Sequence, residues 1–208
     1  MRNRVLIILG TVFVITVIIL GFFQSTRQTV NIDLQNAKKI EIFQDTGGEG
    51  HPGKRRLVAS LPGSGKLSLP KGVYVYNVVA KNSDFEDKAG FFKVENRPVS
   101  LAVKCLFSQI KLAQLAFSEG PAIIGVLNGA YPSAMPSYSV DVIRIYEIGE
   151  WAAVKLSPKN PQLAVVRVVL KKINGNWVVA TDPPAIILSR PVFPDVPKNI
   201  LDDINNNS

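Results

Sequence analysis

Five aromatic residues in the second half of the chain, Tyr131, Tyr138, Tyr146, Trp151 and Trp177, are the side chains best suited to hold a ligand or partner. Aromatic rings stack on sugars or fill a peptide groove, and their N–H and O–H tips add direction; turned inward, they are simply core. The nearby acids Asp141, Glu147, Glu150 and Asp182 have no companion histidine in this half. Period-two alternation puts Asp141 and Glu147 on one strand face, about 20 Å apart at roughly 3.3 Å per residue, too far for paired acid–base chemistry. A solvated outer face is the expectation for both. Cys105 is the single cysteine and no histidine follows it, so it is expected as a partly buried structural thiol. His51, the single histidine, has no second nitrogen or sulfur ligand near it for a metal. The acidic run Asp84, Glu86 and Asp87 lacks the ligands and Gly bend of a Ca²⁺ loop. Gly63-Ser64-Gly65-Lys66 has Ser60 and Leu67 where a phosphate loop needs Gly and Ser or Thr, and reads as a hairpin turn. No catalytic, cofactor-binding or metal-ligating residue is assigned, no cofactor is expected, and the expectation is a protein that is not an enzyme.

The elements that position these residues begin with a membrane segment. Val5 to Phe23 is an uncharged run of 19 residues, roughly 28 Å as a helix, which matches a bilayer core. It exceeds the apolar core of a cleaved signal peptide and ends in Gly21-Phe22-Phe23-Gln24, without Ala-x-Ala. Arg2 and Arg4 flank it on one side and Arg27 on the other, so residues 1–4 are expected in the cytoplasm and residues 24–208 outside. Residues 24–28 read as a polar linker.

The 208 residues carry 24 Lys and Arg against 16 Asp and Glu, with 47% apolar residues, which excludes a disordered tail protein. Without Arg2 and Arg4 the exported part keeps 22 basic and 16 acidic residues, a net charge of +6. That excess favours anionic headgroups, an anionic wall polymer or an acidic partner. The charges are dispersed along the sequence, however, with Lys54-Arg55-Arg56 in a Gly-rich loop as the densest cluster. No basic face interleaved with aromatics is legible, so nucleic acid is not an expected partner.

Residues 29–104 alternate with period two. Ile40 and Ile42, Leu67 and Leu69, Val73 to Val79, Phe92 and Val94, and Val99, Leu101 and Val103 mark strands, with Gly- and Pro-containing turns between them. Antiparallel pairing in a small β-sandwich is expected. The stretch Lys66-Leu67-Ser68-Leu69-Pro70-Lys71-Gly72-Val73-Tyr74 resembles the PEGA and carboxypeptidase-regulatory-like sandwich families, although the Pro-Glu-Gly-Ala tetrad is absent. The resemblance implies an exposed, non-catalytic spacer or binding domain.

Residues 105–206 change period. Leu106, Ile110, Ala113 and Phe117 fall on one helical face, and Ser118 is placed to cap a second short helix over 121–127, stopped by Asn128-Gly129. Strands are expected over 138–148, 151–156, 163–173 and 177–180, with Asn174-Gly175 as a tight hairpin, then a last helix over 198–205 with an Ile200, Leu201 and Ile204 stripe. Helices would cover the one apolar sheet face. This order, with Gly175-Asn176-Trp177-Val178-Val179, resembles NTF2-like and cystatin-like exported α+β domains and implies a curved sheet with a pocket or protein-binding face.

The expected fold is thus an N-terminal transmembrane helix (5–23), an all-β sandwich (29–104) and an α+β domain with helices on an antiparallel sheet (105–206). The expected function is a membrane-anchored extracytoplasmic interaction or scaffold protein of the bacterial cell envelope. Its partners would be the bilayer, through residues 5–23, and an envelope protein or wall polymer. A small-ligand or carboxylate-based pocket enzyme in the second domain is the alternative, and a pilus or secretion-machine subunit is the next.

Overall fold

A computed structural model describes residues 27–45 and 54–206. The expected span from Val5 to Phe23, the start of the linker, and His51 lie outside the described residues. The protein is mostly β-sheet, with three sheets and two α-helices among the described residues, and divides into two compact units, Met1–Cys105 and Leu106–Ser208.

Unit 1 holds β1 (Arg27–Gln35), β2 (Ala37–Asp45), β3 (Arg55–Leu61), β4 (Gly65–Pro70), β5 (Gly72–Ala80), β6 (Lys88–Val94) and β7 (Val99–Lys104). They form two sheets, ordered β4-β1-β7 and β3-β2-β5-β6. Alternation decides what each strand buries: Val30 and Ile32 from β1, Ile40 and Ile42 from β2, Tyr74, Tyr76 and Val78 from β5, and Phe92 and Val94 from β6 enter one core shared by both sheets. Cys105 closes this core and is fully buried rather than partly so, and burial pushes its thiol pKa up.

Three expectations for this unit need correction. Arg55 and Arg56 are not in a loop: they open β3 and pair with Asp45 and Gln44 of β2. Nor are all the strands antiparallel. β1 pairs with β7 in parallel, Val30 opposite Val99 and Gln35 opposite Lys104. Parallel neighbours need a long crossover, and here the whole intervening module supplies it. β1 also begins at Arg27, two residues before the expected boundary.

Unit 2 holds α1 (Gln109–Ala130), a short 3₁₀ turn, β8 (Tyr138–Tyr146), β9 (Trp151–Pro158), β10 (Val166–Ile173), β11 (Asn176–Val179) and α2 (Lys198–Asn206). The sheet is antiparallel, ordered β11-β10-β9-β8. Asn174 and Gly175 take positive φ in the β10–β11 turn, as a tight two-residue hairpin requires. Both sheet faces are covered, not one. Ile123 and Leu127 of α1 pack over Val154, Leu156, Val168 and Leu170. On the other face Ile200, Leu201 and Ile204 of α2 pack with Val169 and Ala153.

The two short helices expected before the sheet are one helix of 22 residues, capped by Ser108, whose hydroxyl accepts from the Lys111 N–H. Pro121 lies inside it on the exposed side, one turn after Phe117, so the missing N–H falls on the solvent face. Asn128-Gly129 does not stop it, for Gly129 is not at positive φ and Tyr131 N–H still bonds the Leu127 carbonyl. The apolar phase also differs from expectation. Ile110 and Phe117 are 74% and 89% exposed, whereas Leu112, Leu115 and Ala116 face the sheet. Leu106 precedes the helix, and counting the stripe from it rotates the face.

Candidate functional site

The five aromatic residues do not converge. Trp177, Tyr131 and Tyr138 pack with the α1 side of the unit 2 sheet, and Trp151 and Tyr146 with the α2 side. The polar tips of Tyr131, Tyr138, Tyr146 and Trp177 are engaged within the unit. Tyr131 Oη donates to the Thr181 carbonyl at 3.3 Å and Tyr138 Oη to the Ala164 carbonyl at 3.2 Å. Trp177 Nε1 donates to Glu119 Oε2 at 2.6 Å, and Lys172 Nζ donates to the same carboxylate at 2.6 Å. Lys171 sits over the Trp151 ring, 5.0 Å from its centroid.

Of the candidate acids, Asp141 lies at a bulge in β8 and meets Lys155 at 3.3 Å, while Glu147 follows the strand at positive φ. The bulge and the turn break the alternation that placed them on one face. Asp182 adjoins Tyr131, whose pKa is pushed up to about 12, first by burial and then by that carboxylate.

One cleft joins polar groups that share no sequence signal. It has a volume of about 460 Å³ and lies between α1, β8 and α2, with Leu112, Ala116 and Ile143 as apolar walls. Asp203 Oδ2 accepts from Arg144 Nη1 at 2.8 Å and from Tyr146 Oη at 2.6 Å. Burial first, then Asp203, raises the Tyr146 pKa well beyond its ordinary value, so its hydroxyl is a fixed donor at neutral pH and not a base. The Asp203 hydrogen bond raises the Arg144 pKa, so the guanidinium keeps its charge. This arrangement suits binding of a small polar group rather than proton transfer. Its members lie 59 residues apart in sequence, and only the docking of α2 unites them.

A second surface lies in unit 1. On the outer face of the β3-β2-β5-β6 sheet, Leu57 is opposite Phe43, Phe43 opposite Val75, and Val75 opposite Phe91. The four side chains form one apolar row across four strands, ending at Phe91, which is 79% exposed. A bulge in the β2–β3 ladder, between Ile42 and Phe43, lets Leu57 join the row while Ala59 stays opposite Ile42.

No family model matches the chain, and no curated protein sequence matches it. Two solved structures show likeness. A DUF3823 family protein from Bacteroides ovatus is 10% identical, with a TM-score of 0.26, over 62% of this chain and 56% of that one. A DUF3823 family protein from Parabacteroides merdae is 10% identical, with a TM-score of 0.28, over 77% of each chain. The chain thus spans little more than half of the first structure, and neither defines its fold.

Proposed function

We infer that this is a membrane-anchored extracytoplasmic interaction or scaffold protein of the bacterial envelope, not an enzyme, with unit 1 as a β-sandwich spacer and unit 2 as an α+β binding module. The observation that carries the reading is the apolar row Leu57, Phe43, Val75 and Phe91, because burying an exposed Phe against a partner gains roughly 2 kcal/mol that this unit alone leaves unused. Ile110 and Phe117 give unit 2 a similar exposed face. The parallel β1–β7 pair supports the spacer role, since the chain enters unit 1 at one end, at Arg27, and leaves at the other, at Lys104. Nine strand residues separate those ends by roughly 30 Å.

The experiment is photo-crosslinking from position 75 of the full chain in its native membrane, with position 84 as control. A defined protein adduct at 75, lost when Leu57→Ser and Phe91→Ser are introduced into a chain that still folds, is expected. No adduct above the control would refute the reading. The second reading, a small-ligand site, is favoured by the Arg144–Tyr146–Asp203 cleft, whose volume falls in the range of ligand pockets. Ligand-dependent protection of α2 from hydrogen exchange would select it.

A further inference from the structure

The strand directions of unit 1 leave its two ends with different charge balance, one of them carrying basic residues with few acids. β1 and β5 start there and β2 and β6 finish there, so the turns at 70–72 and 95–98 and the first residues of β1 and β3 share that end. Lys71, Lys93 and Arg97 line one open cleft of about 890 Å³. Arg27 and Arg56 line a second, of about 460 Å³, whose wall includes Pro70 and Tyr74. Among the described residues, the acids at this end are Glu95, 2.8 Å from Lys93, and Asp45, opposite Arg55. The other end mixes signs, with Asp33, Asp84, Glu86 and Asp87 among Lys38, Lys39, Lys66, Lys81, Lys88 and Lys104.

The basic end is also the end at which the chain arrives from residues 5–23. Arg27 is four residues beyond Phe23, the limit of the uncharged run. Even fully extended, four residues reach at most about 14 Å. The headgroup layer is itself several ångströms thick, and charges in physiological salt act over about 8 Å.

We propose that the Arg27, Arg56, Lys71, Lys93 and Arg97 end of unit 1 docks on the anionic lipid headgroups of the membrane that residues 5–23 span, setting unit 1 upright on the bilayer. The proposal rests on the reading of Val5 to Phe23 as a membrane anchor. Its occupant is a lipid surface, since the open clefts present spread cationic groups to a plane rather than a closed cradle to a single phosphate.

The test uses the full chain reconstituted in vesicles of phosphatidylcholine alone or with about a third phosphatidylglycerol. A fluorophore is attached at Asn96→Cys or, as control, Asp84→Cys, Cys105 being fully buried, and is quenched by headgroup-labelled lipid. The expected result is quenching at position 96, not 84, that requires phosphatidylglycerol and is lost at about 0.5 M salt. The docked-to-undocked ratio should fall about fivefold for each of Lys71→Gln, Lys93→Gln and Arg97→Gln. The salt response of the chain with native Lys71, Lys93 and Arg97 needs no variant to fold. A chain that resists alkaline extraction yet shows lipid-independent quenching overturns the docking alone. A chain washed off by alkali overturns the anchor reading and the docking with it. Release by inorganic phosphate, beyond that by chloride of equal ionic strength, overturns the lipid surface in favour of a soluble phosphate ligand.

Discussion

The Glu119–Lys172–Trp177 cluster offers the sharpest test of how α1 is held on its sheet. Glu119 is the acceptor for two donors at 2.6 Å, the Trp177 indole N–H and the Lys172 ammonium, and Trp177 is 6% exposed. Glu119→Ala leaves the buried indole N–H without this acceptor, at about 1–3 kcal/mol. It also removes an ion pair whose side chains are only 22% and 28% exposed, for which about 1 kcal/mol is a fair figure after solvent screening. The expected loss is therefore about 3 kcal/mol. Glu119→Gln keeps an acceptor and gives up the charge, so it should cost only about 1 kcal/mol. Urea unfolding followed by tryptophan fluorescence measures both, with the slope held constant as the check on two-state behaviour. A double-mutant cycle with Lys172→Met should return a coupling of about 1 kcal/mol. Equal losses for Ala and Gln, or a coupling indistinguishable from zero, would refute the account.

Gly90 faces the Tyr76 ring, and a Cβ there would lie 2.6 Å from Tyr76 Cζ. Gly90→Ala must displace the ring, which neighbours Phe92 in the core, so a loss of about 1–3 kcal/mol and a fall in Tm of about 5 °C or more are expected by calorimetry. Tyr131 is an acid whose folded pKa is raised to about 12 from 10.0, so its contribution is whole below about pH 10 and disappears as the pH rises through about 12. Because Tyr131 is partly exposed, the fall should be about 1 kcal/mol, read as a lower urea midpoint at about pH 11.5 than at about pH 9. Tyr131→Phe should reduce that fall, and an unchanged slope would count against the assignment. Arg167 is buried and its Nε donates to the Ile204 carbonyl at 2.8 Å, with Nη1 donating to the Ile186 carbonyl. Arg167→Met should cost about 2–4 kcal/mol and expose α2 first, seen as faster hydrogen exchange in residues 198–206 than in β9.

Local chemistry made much of this architecture readable. Period-two alternation located β2, β5 and β7, Asn174-Gly175 located a hairpin, and the spacing of Ile200, Leu201 and Ile204 located α2, because each signal lies within one element. What was not readable depends on partners distant in the chain. Nothing within Val99 to Val103 reveals a parallel neighbour 69 residues earlier. The helix over 109–130 reads as two because Ser118 and Pro121 carry end signals that the packing of Ile123 and Leu127 overrides. Glu119 then went unseen as an anchor, although a continuous helix would have set it one turn from Leu115 and Ile123 on the sheet side. Of the Arg144–Asp203–Tyr146 cleft only Tyr146 was legible, as one of the aromatic set, because nothing local ties it to Asp203.

The parallel β1–β7 pair connects the two readings of unit 1. A β7 antiparallel to β1 would lead the chain out of unit 1 at the end at which it arrived, which would not suit the proposed spacer role. It would also change which turns sit beside Arg27. The turn at 95–98, which carries Arg97 and follows Lys93, lies at that end because β7 must start beside Val30 to run parallel with β1. Arg27, Arg56, Lys71, Lys93 and Arg97, spread over 71 positions, meet at one end through strand direction alone. The net charge of +8 could not distinguish a mixed solvated surface from a cationic face, because net charge has no direction and a strand ladder does. One pairing choice thus sets both the length of unit 1 between its chain ends and the charge balance of each end.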